Sequence, residues 1–174
     1  DRDWLADLYP RIARYVQWDV THRDRDGAGL LEWHIEQHVN CRSGESGLDN
    51  SSRFDAALSL DAPDFNAFIA REYEVLAVVA ERLGKTHEAR RWRAEHRRFC
   101  DLINRRLWNE TAGFYMDCVA DTGKQTPVMS AVGFLPLICG APSRRQVERL
   151  ARHFDPGGAF DSPFPVASIS PRQP

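Results

Sequence analysis

The sequence predicts an all-α fold made of helix hairpins joined by long loops. Two observations carry this. Two long segments, 64–83 and 86–107, each place apolar residues three or four apart, and only Gly84-Lys85 separates them, so they pair as an antiparallel hairpin. No stretch alternates apolar and polar residues for long enough to build a sheet. The 174 residues are 43% hydrophobic and 28% charged, which is globular composition rather than that of a disordered or disulfide-stapled chain.

In chain order, Trp4, Leu5, Leu8, Ile12, Tyr15, Val16 and Val20 form an amphipathic helix over about 3–19. His22 to Gly29 is a polar turn. Residues 30–61 are mostly irregular and rich in Gly, Ser and Asn; so long a loop inside a domain is usually functional. Asp64 is expected to cap the next helix, whose apolar face is Phe65, Phe68, Ile69, Tyr73, Leu76, Val79, Ala80 and Leu83, and Gly84 ends it. Thr86 is expected to cap the partner helix, with Ala89, Trp92, His96, Phe99, Ile103 and Leu107 on one face. Residues 110–123 alternate between two turn signals, Ala112-Gly113 and Asp121-Thr122-Gly123, a short β-like excursion. Met129 to Cys139 reads as an apolar helix ended by Gly140, and Ser143 with Gln146 as a capping box opening a last helix.

The composition excludes several functions. A net charge of −2 leaves no electrostatic footprint for nucleic acid or an anionic membrane. The longest apolar stretch, Val128 to Ile138, is far short of the ~20 residues of a membrane helix. The four cysteines show no CxxC spacing and read as unpaired thiols, which favours a reducing, cytoplasmic setting. No metal and no cofactor are expected. His34 and His38 are four apart, but Ile35 stands where the zinc-protease pattern needs Glu. Asp24 and Asp26 resemble the start of a calcium loop, but Ala28 replaces its third ligand and Ile35 its closing Glu. Gly84-Lys85-Thr86 lacks the earlier glycine of a phosphate loop.

One segment remains: Glu45-Ser46-Gly47-Leu48-Asp49-Asn50-Ser51-Ser52-Arg53-Phe54-Asp55. It gathers three carboxylates, an Arg and an Asn within eleven residues, with Trp18, Trp33 and Phe54 as nearby aromatics. Planar polar groups for hydroxyls, aromatics for sugar faces and a carboxyl to protonate a glycosidic oxygen are the chemistry of a carbohydrate site.

This segment resembles the ESG-x-D-N-S-x-R-x-D signature of the (α/α)6-barrel glycoside hydrolases of family 63 and their trehalase relatives. Neighbouring segments resemble further landmarks in the same order: 23–30 (RDRDGAGL), 64–67 (DFNA), 107–110 (LWNE), 113–115 (GFY) and 133–137 (GFLPL). The likeness spans essentially the whole chain and is greatest to bacterial members resembling mannosylglycerate hydrolase and to processing α-glucosidases of the same family.

The resemblance implies an inverting glycosidase acting on an α-glucoside or α-mannoside, with Asp49 as general acid, its proton held by burial and by Glu45 or Asp55. Glu45, Asn50, Arg53 and Trp33 would bind substrate or position the acid. Two departures accompany it. Gly44 stands where bacterial relatives often carry a sugar-stacking Trp, and none of the 174 residues matches the family's general base. The chain is therefore expected to be the N-terminal to middle part of one (α/α)6 catalytic domain, incomplete at both ends. It would bind carbohydrate, lack the remainder of the barrel and be inactive alone. The alternatives are a sugar-binding homologue or a helical scaffold like a tetratricopeptide pair, although the segments flanking the hairpin do not repeat its period.

Overall fold

The computed structural model describes residues 1–34, 44–55, 57, 59–164 and 166–172. Four α-helices, α1 (Arg2–His22), α2 (Pro63–Arg82), α3 (Thr86–Arg106) and α4 (Arg144–Ala151), fall where the apolar periodicity places them. Asp1 caps α1 by accepting from the Asp3 and Trp4 amides. The Ser143–Gln146 capping box at the start of α4 is made in both directions. Gly84 and Gly140 take the left-handed conformation that closes a helix end.

The expected caps of the central hairpin are different. Ala62 precedes α2 and Pro63 opens it, so Asp64 lies inside the first turn with its carboxylate free for other partners. Thr86 is the first residue of α3, not its cap; Lys85 holds that position without a side-chain bond. Residues Ala131–Cys139 form a 3-10 helix where an apolar α-helix was expected. Pro136 has no amide hydrogen to donate and clashes with the carbonyl four residues back, which disfavours α geometry. Gly133 faces the ring of Phe114; a Cβ there would lie 2.1 Å from Phe114 Cε1 and 2.5 Å from the Tyr115 carbonyl oxygen. Gly133→Ala is therefore expected to destabilise the protein by about 1–3 kcal/mol through overpacking, measured as a lower urea midpoint at unchanged m-value.

The expectation that no sheet forms is overturned. Strands β1 (Glu32–His34), β2 (Ser59–Asp61), β5 (Cys118–Val119) and β6 (Lys124–Gln125) make a four-stranded antiparallel sheet in the order β1-β2-β5-β6. A second pair joins β3 (Trp108–Asn109) to β4 (Phe114–Tyr115). These strands span two or three residues each, too short for a period-two signal. Strands and turns flank the helix pair, so the repeat-scaffold reading finds no second hairpin of its kind among the described residues.

The core forms where α2 lies against α3, the 131–139 helix and α1. Tyr73 stacks on Trp92 and meets Phe99 edge-on, and Tyr9 of α1 reaches α3 by donating to Glu88 while accepting from Trp92 Nε1. Cys100, Cys118 and Cys139 are free thiols, in agreement with the sequence; Cys41 lies outside the described residues. Trp4, Tyr15, Val75 and Val78 leave apolar surface exposed along α1 and α2.

Phe114 centres a second aromatic cluster with Phe134, Phe160 and His153. Burial lowers the His153 pKa against the Gly113 and Ala112 carbonyls, which favour the protonated ring. A histidine whose folded pKa lies below its unfolded value makes the unfolded state bind more protons, so stability falls as pH drops through about 6.5. His153→Gln is expected to flatten the pH dependence of the melting temperature between pH 7 and 5. An unchanged slope would remove this role from His153.

Candidate functional site

The segment 44–55 folds as two single-turn 3-10 helices, Gly44–Ser46 and Ser52–Phe54, with Leu48-Asp49-Asn50 as the turn between them. Backbone bonds from the Gly47 amide to the Gly44 carbonyl and from the Ser51 amide to the Leu48 carbonyl close it. Asn50 has φ +58°, the one non-glycine residue with positive φ among the described residues. Asn tolerates this conformation better than other non-glycine residues, and it turns the chain sharply next to Asp49.

Each side of the turn is tethered. On the first, Glu45 Oε1 accepts from Arg23 Nη2 and from the His34 amide, both at 2.6 Å, which ties the turn to the end of α1 and to β1. On the second, Arg53 passes into the interior. Its guanidinium makes two forked pairs: Nε and Nη2 to Asp117 at 2.9 and 2.6 Å, and Nη1 and Nη2 to Asp64 at 2.9 and 3.2 Å. Burial opposes the charge of Arg53, yet Asp117 and Asp64 hold its pKa above the ordinary guanidinium value. Burial pushes Asp117 up to about 6 against the pull of Arg53.

The sequence-derived residues therefore separate by position. Asp49, Asn50 and Glu45 are exposed on the turn. Arg53 has no exposed surface, so of its two expected roles the geometry favours positioning over contact with a sugar. Trp33 is half-buried, stacked on Phe65 at 4.2 Å with its indole N–H donating to Asp64 Oδ1. Phe54 cannot act as a sugar platform: it is buried against Leu60 with the Arg53 guanidinium over its ring. Trp18 is exposed and stacks on His22. The burial expected around Asp49 is not supplied by the described residues, and Glu45 spends its carboxylate on Arg23 and His34. His38 lies outside the described residues.

Several supporting residues escaped sequence reasoning. Asp64 and Asn66 belong to the DFNA landmark, but their function shows only in three dimensions. Buried Asn66 accepts from the Leu31 amide and donates to the Leu31 carbonyl, pinning the start of β1 to α2. Asp117 carried no signal, lying 64 positions from Arg53 in a stretch read only as β-like.

The anchored carboxylate turn stands on a framework shared with known proteins. Residues 1–174 match the mannosylglycerate hydrolase MGH1-like glycoside hydrolase domain throughout. The chain belongs to this family. It is similar to an uncharacterised protein of Borreliella burgdorferi, with 27% identity over 174 residues, 98% of this chain and 33% of the relative. Its fold matches the GH63 mannosylglycerate hydrolase of Thermus thermophilus in complex with glucose at a TM-score of 0.82. That match has 22% identity and covers 99% of this chain and 50% of the other. A more distant likeness is to the neutral trehalase Nth1 of Saccharomyces cerevisiae, with a TM-score of 0.65, 18% identity, and 72% of this chain against 24% of the enzyme. The MGH1-like chain is thus a glycoside hydrolase domain with part of an (α/α)6 toroid, and it spans a quarter to a half of the length of these three relatives. No helix of the described residues is long and apolar enough to cross a membrane.

Proposed function

We propose that this chain is the part of an inverting α-glycosidase that carries its general acid, Asp49. The observation that carries the reading is the tethered turn. Asp49 is presented at the surface between Glu45, held by Arg23 and β1, and Arg53, held by Asp64 and Asp117. A carboxyl placed on a loop with both flanks fixed meets the positional demand of protonating a glycosidic oxygen. Inversion needs a second carboxylate roughly 6.5–9.5 Å away to activate water, and that base belongs to the remainder of the barrel. Glu45, Asn50 and Trp33 line or support the sugar subsite, and Arg53 positions the turn.

The family relation supports a choice of substrate class. The Thermus thermophilus protein is a mannosylglycerate hydrolase, and an α-mannosyl or α-glucosyl conjugate of a small acid is the first substrate to offer. The test uses the full-length protein with α-mannosylglycerate and α-glucosylglycerate, following the anomeric proton by NMR. Release of the β-anomer first supports the reading. First release of the α-anomer removes inversion, and no hydrolysis of any α-glycoside with saturable sugar binding retained makes the protein a sugar-binding homologue. Residues 1–174 alone are expected to show no turnover.

A further inference from the structure

Two thiols that the proposed mechanism does not use meet where α3 passes the end of the 131–139 helix. Cys100 Sγ donates to the Cys139 carbonyl oxygen at 3.7 Å, and Cys139 Sγ donates to the Pro136 carbonyl oxygen at 3.2 Å. His96 and Cys100 lie four apart on α3 and so share a face. His96 Nε2 is 3.4 Å from Cys100 Sγ and 2.9 Å from the Cys139 carbonyl oxygen, which fixes the imidazole beside the pair.

The two thiols also act on one another. The hydrogen bond between them, and then burial, push the Cys100 pKa up. The same bond lowers the Cys139 pKa by favouring its thiolate, against the effect of burial. Their exposure differs as well: Cys100 reaches partly to the surface, whereas Cys139 is 2% exposed. A thiol whose anion is stabilised by a neighbouring thiol is the arrangement in which one sulfur attacks an oxidant and the other resolves the product. Cys118, in contrast, is buried on β5 under the charges of Asp61 and Arg106.

We propose that Cys100 and Cys139 are an oxidative modification site, closing to a reversible disulfide that staples α3 to the 131–139 helix. With hydrogen peroxide as oxidant, the Cys139 thiolate attacks one peroxide oxygen. The O–O bond breaks and the other oxygen leaves as hydroxide, which takes up the thiol proton to become water. The Cys100 sulfur then attacks the sulfenic sulfur of Cys139; the S–S bond forms, the S–O bond breaks, and the oxygen departs with the Cys100 proton as a second water. Two thiols and one peroxide thus give one disulfide and two waters, and a dithiol reductant reverses the bond. The cross-link encloses residues 101–138, a stretch that holds β3 to β6 and Asp117, one of the two carboxylates on Arg53. Restricting that stretch in the unfolded chain stabilises the fold.

The test treats full-length protein with hydrogen peroxide or with dithiothreitol, alkylates the remaining thiols under denaturing conditions and maps the unreduced peptides by mass spectrometry. Hydrolysis enters none of these readouts, so the result is independent of the glycosidase reading. The oxidised protein should carry a peptide pair joined through Cys100 and Cys139, lose two alkylatable thiols, and melt at a higher temperature than the reduced protein. Cys100→Ser and Cys139→Ser should each abolish both the cross-link and the difference in melting temperature, while Cys118→Ser keeps the cross-link. Accumulation of sulfinic acid in place of the disulfide, or Cys100 joined to Cys41 or to any other thiol, would overturn the site. So would a cross-link that leaves the melting temperature unchanged. Should a serine variant fail to fold, the peptide map and the two melting curves of wild type decide the matter alone.

Discussion

Asp49→Asn in the full-length protein is expected to lower kcat/KM on an unactivated α-glycoside by roughly 10²–10⁴-fold, the usual contribution of a general acid. The substitution keeps size and shape, and the side chain lies exposed on a turn whose anchors are Glu45 and Arg53, so folding should be nearly unaffected. A carboxamide does not deliver a proton to the departing oxygen. A glycosyl fluoride, whose leaving group needs no protonation, should therefore react at a rate close to wild type. That selectivity separates an acid from a residue that merely shapes the loop. Equal losses on both substrates would place Asp49 in binding or structure, and near-wild-type turnover on the unactivated glycoside would end its assignment as the acid.

The residues that let this site be found in the sequence differ in kind from those that hold it together. The helices were legible because twenty-residue amphipathic repeats carry their own signal: α2 and α3 end within a residue or two of the predicted limits. The carboxylate turn was legible because its polar residues are contiguous. The strands were not, since two- and three-residue strands are selected by partners distant in sequence, as in Asp61 opposite Cys118. The anchors were hidden for the same reason. Asp64 looks like a helix cap on local grounds, and only the approach of Arg53 and Trp33 shows that its oxygens are used elsewhere. Arg53 was expected to position the acid or to bind sugar hydroxyls, and nothing local announces that two buried carboxylates await it in the interior.

Arg53→Met is expected to destabilise the protein by about 3–5 kcal/mol, because it leaves Asp64 and Asp117 buried without their counter-charge. Methionine replaces much of the volume, so little of this loss is a cavity effect; the cost comes from uncompensated carboxylates in a site where Arg53 supplies four directed N–H bonds. Arg53→Lys should recover only part of it, since an ammonium can face one carboxylate well but does not make both forks. Arg53→Met with Asp117→Asn should recover more, by removing one of the two stranded charges, and that non-additivity is the signature of a shared network. Urea denaturation of wild type, Arg53→Met, Asp117→Asn and the double variant measures the cycle; a loss below about 1 kcal/mol for Arg53→Met would mean that the ion pairs contribute little. The functional consequence runs through the same bonds. Arg53 is four residues from Asp49, so releasing it frees the second flank of the turn while Glu45 still holds the first. On the proposed mechanism kcat should therefore fall more than KM rises, and, unlike Asp49→Asn, the loss should extend to a glycosyl fluoride, because a misplaced turn disturbs the sugar as well as the acid.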